Sequence, residues 1–342
     1  MSRTPYAYTK EETHVYRGKF HYNKLPETAR YYPQSKISGE TTAGRLIGKC
    51  TKIYDKQWNA HPPPPKVVVF DVDETIGSFQ DLYLIWKTIF DKHLYCGSIT
   101  QTTTQQMFND LLDLYPEFLR YGILHILEFI QTKIQSGESH RIYLYTNNQC
   151  NYSVWTKDAC PNPTEWVEMI IVYLNVKLGV KETIFAKPIC AFKINNVVIE
   201  PLRQTTNKTH RDFLKCSILP KTTEICFIDN TYYEKMCHAK VYYIQPPPYV
   251  HSLSRTDIID RFMSSAFHTR LIQKIGYVSI VFSRVDAEPP AHPVHYDTYV
   301  KLLYYIKEFF CMTTETAHTR RRTFRIGKFT RKRIRKKTPT SM

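Results

Sequence analysis

The strongest hydrophobic run in the chain is Val67-Val68-Val69-Phe70, and it opens directly into Asp71-Val72-Asp73-Glu74-Thr75-Ile76-Gly77. Consecutive β-branched and aromatic residues predict a strand buried on both faces. Two shorter runs predict strands of the same kind. Residues 141–145 lead into Thr146-Asn147-Asn148, and 224–228 lead into Asp229-Asn230-Thr231. Helical spacing lies between them. Leu82, Ile85, Trp86 and Ile89 predict a helix over 80–92. Ile123, Leu127, Ile130 and Ile134, with Ile126 at the edge, predict another over 123–135, ended by Gly137. Further helices are expected at 164–177, 208–216 and 231–237, and further strands at 183–186 and 240–244. The stretch 189–199 splits at Asn195-Asn196 into two β-like runs and reads as a hairpin.

Beyond Val250 the pattern is helical, with Ile258, Ile259, Phe262 and Phe267 as packing positions. A last helix over 297–311 carries Val300, Leu303, Tyr304, Ile306, Phe309 and Phe310. Two regions show no period. Residues 96–107 are a polar excursion rich in Thr, Gln and Ser, and 1–60 hold no period of 2 or 3.6 over two turns. The latter read as a tyrosine-rich arm, followed at 62–65 by four prolines that favour a stiff extended spacer. No internal repeat is found. Strands alternating with helices predict an α/β fold with a mostly parallel central sheet flanked by helices, plus a small β-hairpin insertion.

Composition sharpens this division. At 342 residues the chain can bury one large core or two small ones. The net charge of +16 sits at the ends. Residues 1–60 hold eleven Lys/Arg against five Asp/Glu, and 320–342 hold eleven Lys/Arg and no acid, so the interval 61–319 is near neutral. The expected organisation is a basic arm (1–60), an α/β domain (61–319) and a disordered basic tail (320–342). Within the domain, 64–250 bear the motifs and 251–319 are helical. Nine Cys, an odd number with no CxxC pair, and no apolar segment after the amino terminus predict a reduced, intracellular protein. No stretch approaches the length of a membrane span.

The chemistry gathers at strand ends. Alternation puts Asp71 and Asp73 on one side of the chain, where like charges call for a cation or a shared proton. The carboxyl edge of a strand in an open α/β sheet is where ligands sit. Thr146 after the second strand and Asp229 after the third would share that edge. Each is ordinary alone, and for Thr146 taken alone a helix cap is the better reading.

Taken together, DVDET at 71–75, LYTNN at 144–148, Lys208 and FIDN at 227–230 resemble the four-part signature of the haloacid dehalogenase-like phosphohydrolases. The first motif is most similar to the branch of the carboxyl-terminal-domain phosphatases and the nuclear LIM-interacting-factor-like proteins. The resemblance spans about 64–250 and implies a Rossmannoid fold without a large cap. It implies Asp71 as nucleophile and Asp73 as general acid and then base. Asp71, Asp229 and the carbonyl of Asp73 would hold Mg²⁺. Thr146, the amide of Asn147 and Lys208 would bind the phosphoryl group, with Thr75 and Asn230 in support. Where the branch often has Lys-Asp-Leu, this chain has Arg211-Asp212-Phe213-Leu214, so Arg211 is the alternative to Lys208.

The activity so implied is Mg²⁺-dependent hydrolysis of phosphomonoesters, with a phosphorylated protein or peptide as substrate and serine or threonine as the phosphorylated residue. The competing reading is a catalytically retired domain used for binding. A reading of another class puts function in the tail, where basic residues at 320–337 would bind nucleic acid without sequence preference or act as a nuclear import signal. A polymerase-directed phosphatase with a nuclear address also fits a viral or parasite protein acting on a host.

Overall fold

The computed structural model describes residues 14–16, 22–25, 64–94, 101–148, 150, 166–275 and 294–314. The basic segment 320–342 and most of 1–60 lie outside the described residues.

In chain order the elements are strands β1 (His14–Tyr16), β2 (Tyr22–Lys24) and β3 (Lys66–Phe70), then helices α1 (Gln80–Leu94), α2 (Gln101–Leu114) and α3 (Ile123–Gln135). Strand β4 (Ile142–Leu144), helix α4 (Trp166–Lys177), strands β5 (Lys193–Ile194) and β6 (Val197–Val198), and helix α5 (His210–Ser217) follow. The chain continues through β7 (Glu224–Ile228), β8 (Val241–Gln245), α6 (Arg255–Ser264), α7 (Ala266–Ile275), α8 (Val294–Phe310) and β9 (Met312–Thr314). Five strands form one parallel sheet in the order β2-β8-β7-β3-β4. β5 and β6 make the small antiparallel insertion, and β1 pairs with β9 apart from the main sheet.

The alternation of side chains along each strand divides the core in two. Val68, Phe70, Ile142, Leu144, Cys226, Ile228, Tyr242 and Ile244 face a large cluster that draws on α1, α2, α3, α4, α6, α7 and α8. Val67, Val69, Tyr145, Ile225, Phe227 and Tyr243 face the other way, toward Phe213 of α5 and Met236. Every residue of β3 and β7 is buried, as an apolar run between two helical layers requires. At the amino ends of the strands, Lys66 Nζ donates to Glu224 Oε2 (2.8 Å) and to the Phe309 carbonyl (3.1 Å), tying α8 to the sheet. The chain passes from β3 outward to β4, then crosses back to β7 on the other side of β3. That reversal opens a crevice at the carboxyl ends of β3 and β7.

Four expectations change. The polar excursion at 96–107 contains the start of α2, whose Phe108, Leu111 and Leu112 are fully buried. Its Thr- and Gln-rich first half hides the apolar period, and packing of Phe108 against Trp86 and Trp166 (ring centroids 5.4 Å in both pairs) stabilises it. The expected strand at 183–186 is reduced to a single bridge between Phe185 and Ile142. The expected helix at 231–237 is one 3₁₀ turn, Glu234–Met236, because the preceding backbone is engaged elsewhere. There the Thr231 amide donates to Asp229 Oδ1 and the Tyr233 amide to the Tyr243 hydroxyl. Finally, part of the aperiodic arm belongs to the sheet: Tyr22–Lys24 form its outer strand, and Leu25 is buried beside it. Three residues are too few to display a period.

The hairpin turn falls at Asn195 and Asn196, with φ of 48° and 65°. Two left-handed residues are what a two-residue turn of this hand needs, and Asn tolerates that region better than most residues. Among the described residues no helix is long and apolar enough to cross a membrane.

Candidate active site

The parallel ladder extends one residue beyond β3 and β7. The Asp71 amide donates to the Ile228 carbonyl (2.9 Å), and the Asp229 amide to the Ile244 carbonyl (3.2 Å). Both acids are thereby locked to the sheet, at the crevice where the strand order reverses. After Asp71 the chain makes a tight loop. Glu74 is held at φ 55°, a left-handed conformation that a glutamate rarely adopts. Arg120, buried beneath it, explains how the loop is held. Its guanidinium donates to the carbonyls of Thr75 (2.6 Å), Glu74 (2.5 Å) and Pro247 (2.9 Å). Burial pushes the Arg120 guanidinium down to about 10. Gly77 closes the loop for a packing reason, since a Cβ there would lie 2.5 Å from the Phe118 carbonyl oxygen.

Asn230 joins the first and last loops. Its Oδ1 accepts from the Thr75 hydroxyl (3.0 Å), its amide donates to that same hydroxyl (3.1 Å), and its Nδ2 donates to Glu74 Oε2 (2.9 Å). Thr75 and Asn230 therefore brace the loops on each other.

The second loop follows β4. Thr146 is buried, its amide donates to the Ile189 carbonyl, and its hydroxyl accepts from the Asn148 amide (3.0 Å). Asn148 Nδ2 donates to Asp73 Oδ2 (2.9 Å), which links this loop to the first. Asn147 Nδ2 donates to the Tyr233 hydroxyl (3.1 Å).

The expectation of a reduced protein is corrected here, because Cys150 and Cys190 are joined by a disulfide. Odd number and missing CxxC spacing carry no information about two cysteines 40 residues apart that the fold brings together. The Thr146–Ile189 and Ala191–Asn148 backbone bonds set the two segments side by side. Peptide mapping without reductant should recover 150 and 190 in one linked species. Cys190→Ser should lower unfolding stability by about 2–4 kcal/mol. An unlinked pair, or a variant as stable as the parent protein, would contradict this arrangement.

Lys208 is the centre of the electrostatics. It is only 1 % exposed, and its Nζ donates to Asp71 Oδ1 (2.6 Å) and Asp229 Oδ2 (2.7 Å). It sits just before Thr209, the N-cap of α5, whose hydroxyl accepts from the Asp212 amide. Arg211, one turn on, points outward and is exposed. Burial works against the Lys208 ammonium, but Asp71 and Asp229 outweigh it and raise its pKa. One ammonium between two carboxylates leaves net negative charge in a buried place. Asp229 accordingly rises to about 7, through burial first, with Lys208 opposing and Asp71 adding. Asp73 rises to about 6, through burial and then repulsion from Asp71.

The raised Asp73 carboxyl has a stability consequence. A group whose pKa is raised on folding contributes stability below its unfolded value, near 4, and loses it as pH rises through 6. Asp73→Asn, which keeps an acceptor for Asn148, should therefore stabilise the metal-free protein by about 1–3 kcal/mol at pH 8. The gain should fade below pH 4. Urea unfolding in EDTA at both pH values measures this, and an equal difference at the two would refute it.

The donor set suits a hard cation in a particular way. Among the described residues there is no group of three His, Cys, Asp or Glu that could hold a metal ion. Two carboxylates, Asp71 and Asp229, already share one cation, and Asp71 Oδ2 has no hydrogen-bond partner among the described residues. Mg²⁺ is commonly held by one or two carboxylates, with waters and substrate oxygens completing the octahedron. Asp71 and Asp229, with the Lys208 ammonium bonded to both, are the carboxylates that could hold such an ion.

Two clefts adjoin at this point. One, of about 380 Å³, is lined by Asp71, Asp73, Thr146, Asn147, Lys208 and Tyr233, among others. Its neighbour, of about 300 Å³, runs from Asp73 and Asn148 toward Phe79, Tyr83 and Trp166. Of the residues singled out from sequence, Asp71, Asp73, Thr146, Asn147, Lys208 and Asn230 line the larger cleft. Asp229 and Thr75 are buried behind it, bonded to Lys208 and Asn230, and Arg211 does not reach it. Two buried arginines were missed: Arg120 under the first loop and Arg203 under the second. Neither lies in a motif, and nothing in the sequence distinguishes them from surface arginines.

Comparison with family models, with curated proteins and with solved structures finds no match to this chain. The fold is a parallel α/β arrangement of the Rossmannoid type, consistent with the broad haloacid dehalogenase-like superfamily.

Proposed function

We propose that this chain is a Mg²⁺-dependent phosphomonoester hydrolase that works through an aspartyl-phosphate on Asp71. The observation that carries the reading is the triad of Asp71, Lys208 and Asp229 at the reversal of strand order, with Asp73 and Thr146 on the same cleft. In the first step a carboxylate oxygen of Asp71 attacks phosphorus. The bond from phosphorus to the leaving oxygen breaks, and the Asp73 carboxyl gives that oxygen its proton. In the second, the Asp73 carboxylate takes a proton from water, the water oxygen bonds to phosphorus, and Asp71 is released with inorganic phosphate. A carboxyl poised near 6 is suited to both duties. Lys208, the Thr146 hydroxyl and the Asn147 amide would hold the phosphoryl oxygens as charge shifts among them. Asp71 and Asp229 would hold Mg²⁺, which would supply neutralisation of phosphoryl charge.

Protein phosphoserine or phosphothreonine is the proposed substrate, in keeping with the resemblance to the carboxyl-terminal-domain phosphatase branch. Two features favour a site open to a peptide. The insertion β5–β6 is small, and α2 packs its Phe108, Leu111 and Leu112 into the core and so is no separate lid. The basic run 320–337 would add non-specific contact with nucleic acid and a nuclear address. Phosphate release from p-nitrophenyl phosphate, and from phosphoserine and phosphothreonine peptides, should require Mg²⁺ and stop in EDTA. Equal rates in Mg²⁺ and EDTA, or none above buffer, would reject the reading.

A further inference from the structure

Arg203 is 1 % exposed and lies between the hairpin and α5, outside every motif. Its Nη1 donates to the carbonyls of Thr146 (3.0 Å) and Cys190 (2.5 Å). Its Nη2 donates to Asn147 Oδ1 (2.8 Å) and to the Thr206 carbonyl (3.0 Å). One planar group thereby joins three segments: the loop that carries Thr146, the strand-like stem at 190, and the approach to Lys208. The guanidinium also lies over the Tyr145 ring, 4.8 Å from its centroid. The Asn147 side-chain carboxamide passes the order onward, because its Nδ2 donates to the Tyr233 hydroxyl, and the Tyr233 ring lies 5.4 Å from Lys208 Nζ.

Two features point to an anion as the reason for this arrangement. All four acceptors are neutral, and no carboxylate lies within ion-pair distance of Arg203 among the described residues. Its Nε is buried with no hydrogen-bond partner there. The buried Asp212 carboxylate nearby accepts from the Gln204 amide (3.2 Å) and makes no ion pair with Arg203. A buried cation with no direct ion-pair partner is costly, and a phosphoryl dianion arriving at Thr146 and Asn147 would supply one.

We infer that Arg203 is a positioning residue that sets the Thr146–Asn147 loop for phosphoryl-oxygen binding and supplies a fixed positive charge behind it. The inference rests on the phosphohydrolase reading of the cleft. Lysine cannot replace it. An ammonium has three donors on one atom, whereas these four acceptors are spanned by a rigid fork.

The test uses the full chain with Arg203→Lys and Arg203→Gln, and orthovanadate as the probe of the anion site. In both variants kcat on p-nitrophenyl phosphate should fall about 10- to 100-fold, the scale on which outer partners act. Orthovanadate affinity should fall in parallel. Mg²⁺ binding, followed by calorimetry, should stay within about twofold, because Asp71 and Asp229 are ordered by Lys208 instead. Parent-like kcat and orthovanadate affinity in both variants would overturn the inference. So would a joint loss of Mg²⁺ and orthovanadate binding, which would mark Arg203 as a general scaffold residue. If neither variant folds, Asn147→Ala cuts the Arg203–Asn147–Tyr233 link and leaves Arg203 in place. Unchanged orthovanadate affinity there would overturn the inference, and a loss would support it. A parent protein that releases no phosphate and binds no orthovanadate rejects the phosphohydrolase reading, and this inference falls with it. A competent parent with competent variants rejects this inference alone.

Discussion

Asp71→Asn is expected to lower phosphate release from p-nitrophenyl phosphate by roughly 10⁴-fold or more, the scale on which loss of a nucleophile is felt. The substitution changes little else. The backbone at 71 remains bonded to Ile228, and the amide oxygen can still accept from Lys208. What disappears is the carboxylate that attacks phosphorus, together with one negative charge beside Asp229 and Asp73. The fold should persist and gain some stability in EDTA, since fewer like charges are confined. Steady-state kinetics with Mg²⁺ settle the matter. A rate within tenfold of the parent protein would remove Asp71 from the role of nucleophile, whatever the activity of the parent.

Lys208→Met is expected to act on stability and on turnover together. In the parent protein one ammonium neutralises part of the charge of two acids, 2.6 and 2.7 Å away; Lys208 and Asp229 are shielded from water, and Asp71 opens onto the cleft. Removing the cation leaves Asp71 and Asp229 facing each other. Breaking a buried ion pair from one side costs about 3–5 kcal/mol. In EDTA the variant should therefore unfold at markedly lower urea, and Mg²⁺ should restore more stability to it than to the parent. Turnover with Mg²⁺ should fall by roughly 10²-fold or more through loss of a fixed positive charge at the phosphoryl group. Arg211→Ala, a change at an exposed helix position, should alter turnover by less than about threefold. Parent-like stability of the Lys208→Met protein in EDTA would refute the electrostatic account. A larger loss of turnover at Arg211 than at Lys208 would transfer the phosphate-binding role to Arg211.

What the sequence determined by itself is local. Four apolar residues in a row at 67–70 must be buried on both sides, so the acids that follow had to emerge at a sheet edge. The same reasoning applies to Asp229 after β7 and Thr146 after β4. Strands separated by helical periods left a parallel sheet as the economical arrangement. The hairpin was legible from two consecutive asparagines between β-like runs.

The tertiary structure decided everything that depends on partners far apart in the chain. Lys208 and Arg211 are both cations near the start of one helix. Only the packing of α5 against the β7 side of the sheet turns one onto Asp71 and Asp229 and leaves the other in solvent. Arg203 and Arg120 have no local signature because most of their acceptors are backbone carbonyls of distant loops, and a carbonyl is the same group in every residue. Cys150 and Cys190 show the same limit: pairing follows from proximity in space, and spacing along the chain does not encode it. Likewise Tyr22–Lys24 become a strand only because β8 offers an unpaired edge, whose hydrogen bonds order a segment that would have no structure alone.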